Sequence, residues 1–358
     1  MPHTYDHGGN VFSISRQMGI APEELIDFSA SINPLGISPL VRKSLICALD
    51  SLTHYPDSTH LPLKQALARH HGLKPANFII GNGSTEIIYH MPVMLPGKRA
   101  LIISPSFSEY VRALGQQHWE ARHFILTPEN GFSIDTDRLK LELSTGYDAL
   151  YLCNPGNPGG TLYPLRVIEQ IYSICLAAGT FLVLDEAFMD FCEDASAKQF
   201  IIHSDNGIIL RSMTKFFGIP GLRLGYAIAS PTIAERLDAM GGPWSVNTLA
   251  LEAGVAALQD QDHNRRTIEF IRQERRGIYE QLDRFPALKP YPSSANFLLV
   301  ELTGGMTAHE LKERLVAMRM LIRDCSSFMG LTRHFFRIAV RTSQENHRLL
   351  EGLRRILK

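Results

Sequence analysis

The sequence predicts an α/β protein with two parts, a large domain with a mainly parallel sheet and a small α+β domain. Two patterns support this prediction. From about residue 77 to 229, short apolar runs alternate with stretches in which apolar residues recur every three or four positions. Several runs, including 149–153 and 207–210, are continuously apolar, as expected for strands that helices cover on both faces. Ligands of such sheets bind at the carboxyl ends of the strands.

The individual elements follow from the same patterns. The predicted strands of the large domain cover residues 78–80, 100–103, 123–126, 149–153, 181–184, 207–210 and 224–229. Helical spacing predicts helices over residues 38–51, 61–72 and 165–178 and a long, polar helical region over residues 232–285. In the small domain we expect strands at 296–302, 320–323 and 335–340 and helices at 307–318 and 344–358. The predicted division gives residues 45–265 to the large domain and residues 1–44 and 266–358 to the small domain.

Composition and charge argue against several classes of protein. Hydrophobic residues make up 45% of the 358 positions and charged residues 20%, which is typical of a globular protein. Lys and Arg together number 36, as do Asp and Glu, so no net field favours nucleic acid or an anionic membrane. The five cysteines are scattered without metal-ligand spacing, and no apolar run reaches the ~18 residues of a membrane span. We therefore expect a soluble, cytoplasmic protein without a metal site.

Residues 211–226 contain a lysine in a distinctive setting. Lys215 lies beside two hydroxyl side chains, Ser212 and Thr214, at the end of an apolar run. A surface lysine in a loop and a lysine that forms a Schiff base both fit this stretch taken alone. Pyridoxal phosphate needs such an amine for its aldehyde, with donors and a fixed positive charge for its phosphate. Ser212, Thr214 and Arg223 would supply those phosphate contacts.

Two further motifs follow neighbouring strands. The run GNGSTE at residues 81–86 opens a helix, and its glycines would let backbone N–H groups approach a phosphate. This run lacks the third glycine of a dinucleotide site. In the run PSFSEY at residues 105–110, Tyr110 is either a residue that stacks on a flat ring or a part of the core.

Polar side chains end two more strands. Asn157 lies in NPGNPGG at residues 154–160, which is either a tight turn or a rigid loop that points an amide into a cleft. Asp185 follows the strand at 181–184, where a carboxylate can hold a protonated pyridine nitrogen or merely cap a helix. The order of Asn157, Asp185, Lys215 and Arg223 along the chain favours the cofactor site.

Together these motifs resemble the aminotransferase superfamily of pyridoxal-phosphate enzymes, which has the aspartate aminotransferase fold, or fold type I. The resemblance covers essentially the whole chain. It implies that Lys215 forms the Schiff base, that Asp185 pairs with the pyridine nitrogen, and that Asn157 bonds the 3-oxygen of the ring. Tyr110 would stack on the ring. The residues implied to hold the phosphate are Ser84, Thr85, Ser212 or Thr214, and Arg223.

The resemblance also has implications for assembly. In this superfamily Tyr55 would reach the phosphate of the cofactor bound by the neighbouring subunit. A homodimer with shared active sites is therefore implied. Arg337 corresponds to the arginine that binds the carboxylate of the substrate.

The sequence is similar to two subfamilies, histidinol-phosphate aminotransferase and the L-threonine-O-3-phosphate decarboxylase of cobalamin synthesis. The decarboxylase is the closer likeness, carried by HGGN at 7–10, DFSASINPLG at 27–36, PWSVN at 243–247 and IRDC at 322–325. Phe188 stands where the aminotransferases usually have a tyrosine that donates to the 3-oxygen.

Three positions depart from the pattern of these relatives. Gly156 and Gly159 replace the more usual Asn and Thr of their loop. Ser31 stands where the decarboxylase likeness suggests Asn, and a serine donates over a shorter reach. The substrate contacts near Ser31 therefore follow less directly from the resemblance than the cofactor contacts do.

The decarboxylase resemblance implies a small phosphorylated amino acid as substrate, either threonine phosphate or serine phosphate. The bond that breaks must stand perpendicular to the ring plane, so the carboxylate cannot lie in that plane as it does in a transaminase. We expect His7, the Gly8 backbone, Arg323 and Arg337 to divide the phosphate and the carboxylate, since arginines bind such groups in pairs of hydrogen bonds. The predicted substrate site is completed by Ser31, Asn33 and Asn157.

Two other functions stay open. A phospho-substrate aminotransferase would share the fold and cofactor and break a different bond. A cofactor-binding regulator without catalysis is the more distant alternative, because regulators of this fold usually add a DNA-binding domain.

Overall fold

The computed structural model describes residues 7–357. Its strands are β1 Ile26–Asp27, β2 Phe78–Gly81, β3 Arg99–Ser104, β4 Glu120–Ile125, β5 Ala149–Cys153, β6 Phe181–Asp185, β7 Gly207–Ser212, β8 Gly225–Ala229, β9 Leu288–Pro290, β10 Phe297–Leu302, β11 Met320–Leu321, β12 Arg323–Asp324 and β13 Phe335–Ala339. Its α-helices are α1 Val11–Met18, α2 Pro39–Cys47, α3 Leu61–His71, α4 Ser84–Met94, α5 Glu109–Gln116, α6 Thr136–Leu143, α7 Leu165–Ala178, α8 Lys198–Ile201, α9 Pro231–Asp238, α10 Thr248–Gln259, α11 Gln261–Leu282, α12 Ala308–Ala317 and α13 Ser343–Ile356.

A seven-stranded sheet forms the centre of the large part of the molecule. Its strand order is β2-β8-β7-β6-β5-β3-β4, and every neighbouring pair from β7 to β4 is parallel. Strand β8 runs antiparallel to both β2 and β7. The mainly parallel sheet predicted from the apolar runs is confirmed, and β5, β6 and β7 are buried at every residue, as strands covered on both faces should be.

Local sequence explains where the helices begin and end. Ser38 caps α2 by accepting a hydrogen bond from the backbone N–H of Val41. Helices α3 and α7 stop at Gly72 and Gly179, which both have a φ of 67°. Glycine adopts this left-handed conformation without steric cost and ends a helix cleanly. The prediction of α7 at residues 165–178 is confirmed to the residue.

A second sheet, antiparallel, lies in the C-terminal part with the order β12-β13-β10-β9. The predicted strand at 320–323 is divided into β11 and β12, which belong to different sheets. Strand β11 pairs in parallel with β1, so that Ile26 lies opposite Met320. This pairing joins the N-terminal segment to the C-terminal part and explains why residues from both chain ends meet.

The long helical region predicted over 232–285 contains three helices, α9, α10 and α11. The predicted polar character does not extend to α10, which buries seven of its twelve residues and packs against α2 and α3. Helix α11 continues across the predicted domain boundary at 265/266. Its residue Ile271 belongs to the core of the large sheet and Ile278 to the core around β10 and β13. The division into two domains stays a prediction.

Among residues 7–357, no helix combines the length and apolar character needed to cross a membrane.

Candidate active site

A cavity of about 890 Å³ lies at the carboxyl ends of β5, β6 and β7 and is closed by the N-terminal segment and by β12 and β13. This is the position at which a parallel α/β sheet binds its ligands. The cavity brings most of the predicted site together. The predicted residues that line it are His7, Gly8, Ser31, Ser84, Thr85, Asn157, Asp185, Ser212, Thr214, Lys215, Arg223, Arg323 and Arg337.

Lys215 presents a desolvated amine to this cavity. Its Nζ donates a hydrogen bond to Ser212 Oγ at 2.9 Å, and Ser212 Oγ lies 2.8 Å from Thr214 Oγ1. Burial lowers the pKa of the Lys215 ammonium, and the nearby Asp185 carboxylate opposes that shift. A lowered pKa favours the neutral amine, which is the nucleophilic form. Lys215 is therefore suited to bond a carbonyl carbon.

Asp185 is a buried carboxylate at the end of β6. Its Oδ2 accepts a hydrogen bond from the Tyr110 hydroxyl at 2.5 Å, and its Oδ1 accepts one from the Ala187 N–H at 2.9 Å. Burial raises the pKa of Asp185, while the Tyr110 hydrogen bond and the Lys215 charge oppose that shift. A cation placed beside Asp185 would restore the ionised form, because it offsets the cost of desolvation.

Close backbone packing forms a cradle around the start of α4. A Cβ atom added at Gly225 would lie 2.2 Å from the Ser84 backbone nitrogen, and one added at Gly83 would lie 2.6 Å from Arg223 Nη2. Only glycine fits either position. The N-terminal N–H groups of α4 and the Arg223 guanidinium thus meet at one edge of the cavity, which is a favourable site for a phosphate.

Arg337 approaches the cavity from β13. Its Nη1 donates to Asn157 Oδ1 at 2.5 Å and its Nη2 to the Ser29 carbonyl at 3.0 Å. Burial lowers its pKa to about 10, so it stays charged at neutral pH. Three residues that line the cavity have a buried polar atom without a hydrogen-bond partner among the described residues: Arg337 at Nε, Ser31 at Oγ and Ser106 at Oγ. Unsatisfied donors at a cavity are typical of a site completed by a ligand.

The structure corrects the expected position of Tyr110. The Tyr110 ring is fully buried and packs on Tyr151, and within residues 7–357 it is not part of the cavity wall. Phe107, three residues earlier in the same motif, lines the cavity instead and packs edge-on against Tyr110. The sequence offered two aromatic residues at this strand end, and only the direction of the backbone distinguishes them. Tyr110 acts on Asp185, and Phe107 is the candidate for stacking.

Asn33 was predicted to bind substrate, and among the described residues its side chain instead bonds groups of the chain itself. Its amide nitrogen donates to the Phe216 carbonyl at 2.9 Å and to Thr267 Oγ1 at 3.0 Å. Its Oδ1 accepts a hydrogen bond from the Leu35 N–H at 3.0 Å. Asn33 is buried outside the described cavity wall and fastens the segment that carries Ser31 to the lysine loop.

Tyr55 lies outside this cavity and is 78% exposed. Its ring stacks on Trp244 with 4.5 Å between centroids. A contact between Tyr55 and a second subunit could be seen only in a dimer, so the assignment of Tyr55 stays a prediction.

The sequence-based prediction also missed Arg112, which lines the cavity from α5. The spacing of Arg112 after Glu109 gives a surface ion pair on a helix as readily as a site residue.

Comparison with known proteins agrees with this geometry. Residues 23–353 match the model of the family described as aminotransferase class I and II. The chain belongs to this family.

Its relatives include both of the expected subfamilies. The threonine-phosphate decarboxylase of Salmonella typhimurium is 40% identical over 98% of this chain and 96% of its own length. The L-threonine-O-3-phosphate decarboxylase of Porphyromonas gingivalis has a solved structure that matches with a TM-score of 0.82 and 29% identity, over 92% of this chain and 98% of that one. The histidinol-phosphate aminotransferase of Clostridium acetobutylicum matches with a TM-score of 0.85 and 28% identity, over 93% and 99%.

The cofactor of this aminotransferase family member is pyridoxal 5′-phosphate. The residues present fit it. Lys215 offers an amine of lowered pKa, Asp185 a buried carboxylate, and the glycines beside Arg223 a cradle that a side chain would fill. The aspartate-aminotransferase-like fold expected from the motifs is confirmed.

Proposed function

We propose that the protein decarboxylates L-threonine O-3-phosphate to an aminopropanol phosphate, the linker of the cobalamin nucleotide loop. One observation carries the proposal most directly. Arg323 on β12 lies opposite Arg337 on β13 in the antiparallel register, and both line the cavity that contains Lys215. Residues opposite each other in such a pair point to the same face of the sheet. Two guanidinium groups beside one amine suit a substrate that carries both a phosphate and a carboxylate.

The cofactor would be held by groups that the chain has already arranged. Ser84, Thr85 and Arg223 would bind its phosphate, and Asp185 would keep its ring nitrogen protonated. Asn157 uses its Oδ1 to accept from Arg337, which leaves its amide N–H groups for the 3-oxygen of the ring. When bound, the cofactor supplies an electron sink for the pair released as a bond to the substrate α-carbon breaks.

The protein must choose the bond that breaks by holding the substrate. Arg337 is fixed on two sides by Asn157 and Ser29, and its guanidinium lies 5.0 Å from the centroid of the Phe297 ring. A guanidinium fixed in this way can bind a substrate anion in one orientation only. We infer that the two arginines and His7 divide the carboxylate and the phosphate of the substrate between them, and that the resulting orientation makes the bond to the carboxylate the one that breaks.

Lys215 is the proposed proton donor to the α-carbon once carbon dioxide has left. Its amine is the titratable group at the cavity that also bonds the hydroxyl pair Ser212 and Thr214. Because burial lowers the pKa of this amine, its protonated form gives up a proton more readily than an ordinary lysine does. Reprotonation at the α-carbon gives an amine as the product rather than a ketone.

The deciding experiment supplies the holoenzyme with O-phosphothreonine, O-phosphoserine or histidinol phosphate, each with and without 2-oxoglutarate. We expect carbon dioxide from O-phosphothreonine without any keto acid. The comparison with O-phosphoserine measures the preference between the two phospho-amino acids. Glutamate formed from histidinol phosphate and 2-oxoglutarate, with no carbon dioxide from either phospho-amino acid, would refute the decarboxylase function.

An aminotransferase acting on histidinol phosphate is the second candidate. It is favoured by the match in fold to the Clostridium acetobutylicum enzyme, at a TM-score of 0.85. Phe188 argues the other way, because its side chain lines the cavity without a hydroxyl and packs edge-on against Phe297. The phenylalanine at position 188 therefore has no group that could donate a hydrogen bond to the 3-oxygen of the cofactor ring.

We also propose that the protein is a homodimer whose active sites each use Tyr55 from the other subunit. The segment around Tyr55 exposes several apolar side chains, and Ile46, Leu49 and Leu52 are each more than half exposed. Exposed apolar patches of this kind are typical of protein–protein interfaces. Light scattering should give the mass of two chains. Mixing Lys215→Ala with Tyr55→Ala subunits should restore about a quarter of the wild-type activity, since half of the dimers then carry one intact site. No restoration would contradict the shared site.

A further inference from the structure

Glu109 joins three parts of the molecule at the rim of the cavity. It is the first residue of α5 and is 7% exposed. Its Oε1 lies 2.9 Å from His7 Nε2 and accepts from Arg112 Nη1 at 2.9 Å, while its Oε2 accepts from the Tyr89 hydroxyl at 2.7 Å. The N-terminal segment, α4 and α5 therefore meet at one carboxylate.

The chemistry of this cluster determines the orientation of His7. An ionised carboxylate only accepts hydrogen bonds, so His7 Nε2 must carry the proton that it shares with Glu109. Arg112 Nη1 lies 3.3 Å from the same ring nitrogen but 2.9 Å from the carboxylate, which is its better acceptor. The hydrogen bond from His7 lowers the pKa of Glu109 despite its burial, and the hydrogen bond from Tyr89 and the charge of Arg112 lower this pKa further. Glu109 is therefore ionised at neutral pH.

The position of the partners distinguishes this cluster from an ordinary helix start. A glutamate in the first turn stabilises a helix through the helix dipole and needs no contact with another segment. Here two of the three partners, His7 and Arg112, line the cavity, whereas Glu109 itself is outside the described cavity wall. The carboxylate thus lies outside the described cavity wall, while the two residues that bond it are part of that wall.

We propose that Glu109 is a positioning residue that fixes His7 and Arg112 as the binding groups for the phosphate of the substrate. The proposal rests on the proposed function, because it takes the substrate to be phosphorylated. Arg112 and the imidazolium form of His7 are charge-assisted donors, because the imidazolium donates to Glu109 through Nε2 and carries a second N–H at Nδ1. Such donors give a phosphate its strongest contacts. Without the carboxylate, His7 would lose the group that holds its ring, and Arg112 would lose its ion pair. The ligand would then have to order both side chains when it binds, and the entropy lost in that ordering would weaken its affinity.

The test compares two ligands of the holoenzyme that differ only in the phosphate. Dissociation constants for O-phospho-L-threonine and L-threonine are measured from the change in cofactor absorbance. We expect Glu109→Gln to weaken O-phospho-L-threonine binding about tenfold, or about 1.4 kcal/mol, and L-threonine binding by less than about twofold. Glu120→Gln is the matched control, because it breaks a Glu–Arg pair on the exposed strand β4 and should change neither constant.

A second measurement tests whether Glu109 acts through its partners. In a His7→Ala, Arg112→Gln background, Glu109→Gln should have no further effect on O-phospho-L-threonine binding. An added loss of the full size in that background, or equal losses for both ligands, would overturn the proposal. If Glu109→Gln does not fold, Tyr89→Phe removes one donor to the carboxylate and should weaken only the phosphorylated ligand, by about threefold.

These outcomes are separate from the fate of the proposed function. Binding does not depend on which bond breaks. Selective loss of phosphorylated ligand without carbon dioxide release would refute the decarboxylase and support the role of Glu109. Carbon dioxide release, together with equal losses of affinity for both ligands in Glu109→Gln, would support the decarboxylase and refute the role of Glu109.

Discussion

The proposed cofactor end of the cavity and its proposed substrate end are built in different ways. At the cofactor end, Lys215, Asp185 and Ser212 all have hydrogen-bond partners within the chain, and they follow the adjacent strands β6 and β7. At the substrate end, Ser31 Oγ and Arg337 Nε are buried without partners among residues 7–357. A buried polar group without a partner costs about 1–3 kcal/mol. The cofactor end is thus complete in itself, and the substrate end gains free energy when a ligand satisfies it.

The largest expected effect comes from removing the amine at the cofactor end. Lys215→Ala should lower carbon dioxide release by about 10³-fold or more, because no other described side chain supplies the nucleophile. The absorbance of the bound cofactor should also lose its lysine-dependent band. Lys289→Ala is the control, since Lys289 lies on β9 beside Glu301, outside the described cavity wall. An unchanged spectrum in Lys215→Ala would place the cofactor elsewhere.

A second prediction concerns the substrate end alone. Arg337→Lys should lower kcat/KM for O-phosphothreonine by about 100-fold, because an ammonium cannot reproduce a guanidinium fixed between Asn157 and Ser29. The cofactor spectrum should stay as in the wild type. Arg341→Lys is a matched change just beyond β13, where the guanidinium donates to the Asp27 carbonyl and to Glu345 and is not itself part of the described cavity wall. A loss of cofactor in Arg337→Lys would show that the two ends are not independent.

Tyr110→Phe should have a smaller effect, which separates an influence on Asp185 from a role in stacking. The Tyr110 hydroxyl opposes the rise in the pKa of Asp185 that burial causes. Without it the carboxyl becomes harder to ionise, so the acidic limb of the pH profile should move to higher pH and kcat should fall about tenfold at neutral pH. Tyr151→Phe is the control, since the Tyr151 hydroxyl is buried without a described partner. An unmoved profile with unchanged kcat would contradict the influence on Asp185, and it would leave stacking possible because the phenylalanine ring can still stack.

The smallest effect is expected in the ion cluster under the cofactor end. Arg211 is fully buried and bonds Glu186 and Glu193, with Asp190 at 3.6 Å. Burial raises the pKa of Asp190 from 3.8 to about 7, so the folded protein holds a proton there that the unfolded chain releases. The stability associated with this proton is present below about pH 4 and is lost as the pH rises to about 7.

Asp190→Asn should therefore raise the free energy of unfolding at pH 8 by about 1–2 kcal/mol and leave it nearly unchanged at pH 4. Denaturant unfolding of the holoenzyme at both pH values measures this difference. Carbon dioxide release should be unaffected at either value, because Asp190 does not line the described cavity. A gain of equal size at pH 4 and pH 8 would mean that the Asp190 carboxyl does not titrate in this range.

Much of the cofactor end could be predicted because it depends on local sequence. Asp185 ends an apolar strand and Asn157 and Lys215 follow the ends of two others, and parallel strands bring their carboxyl ends to one edge. The helix at 165–178 followed from apolar spacing and a terminal glycine. The requirement for glycine at position 225 could not be predicted from local sequence. A side chain there would collide with the backbone of Ser84, which is far away in the sequence.

The sequence by itself determined the parallel sheet and the cofactor, and it gave the order of the proposed binding residues. Periodicity and residue type carry that information, and neither depends on contacts between distant segments. Only the tertiary structure decided that Phe107 rather than Tyr110 faces the cavity, that Asn33 fastens a loop, and that Glu109 holds His7. The physical reason is that side-chain direction and the pairing of residues about 100 positions apart are set by packing.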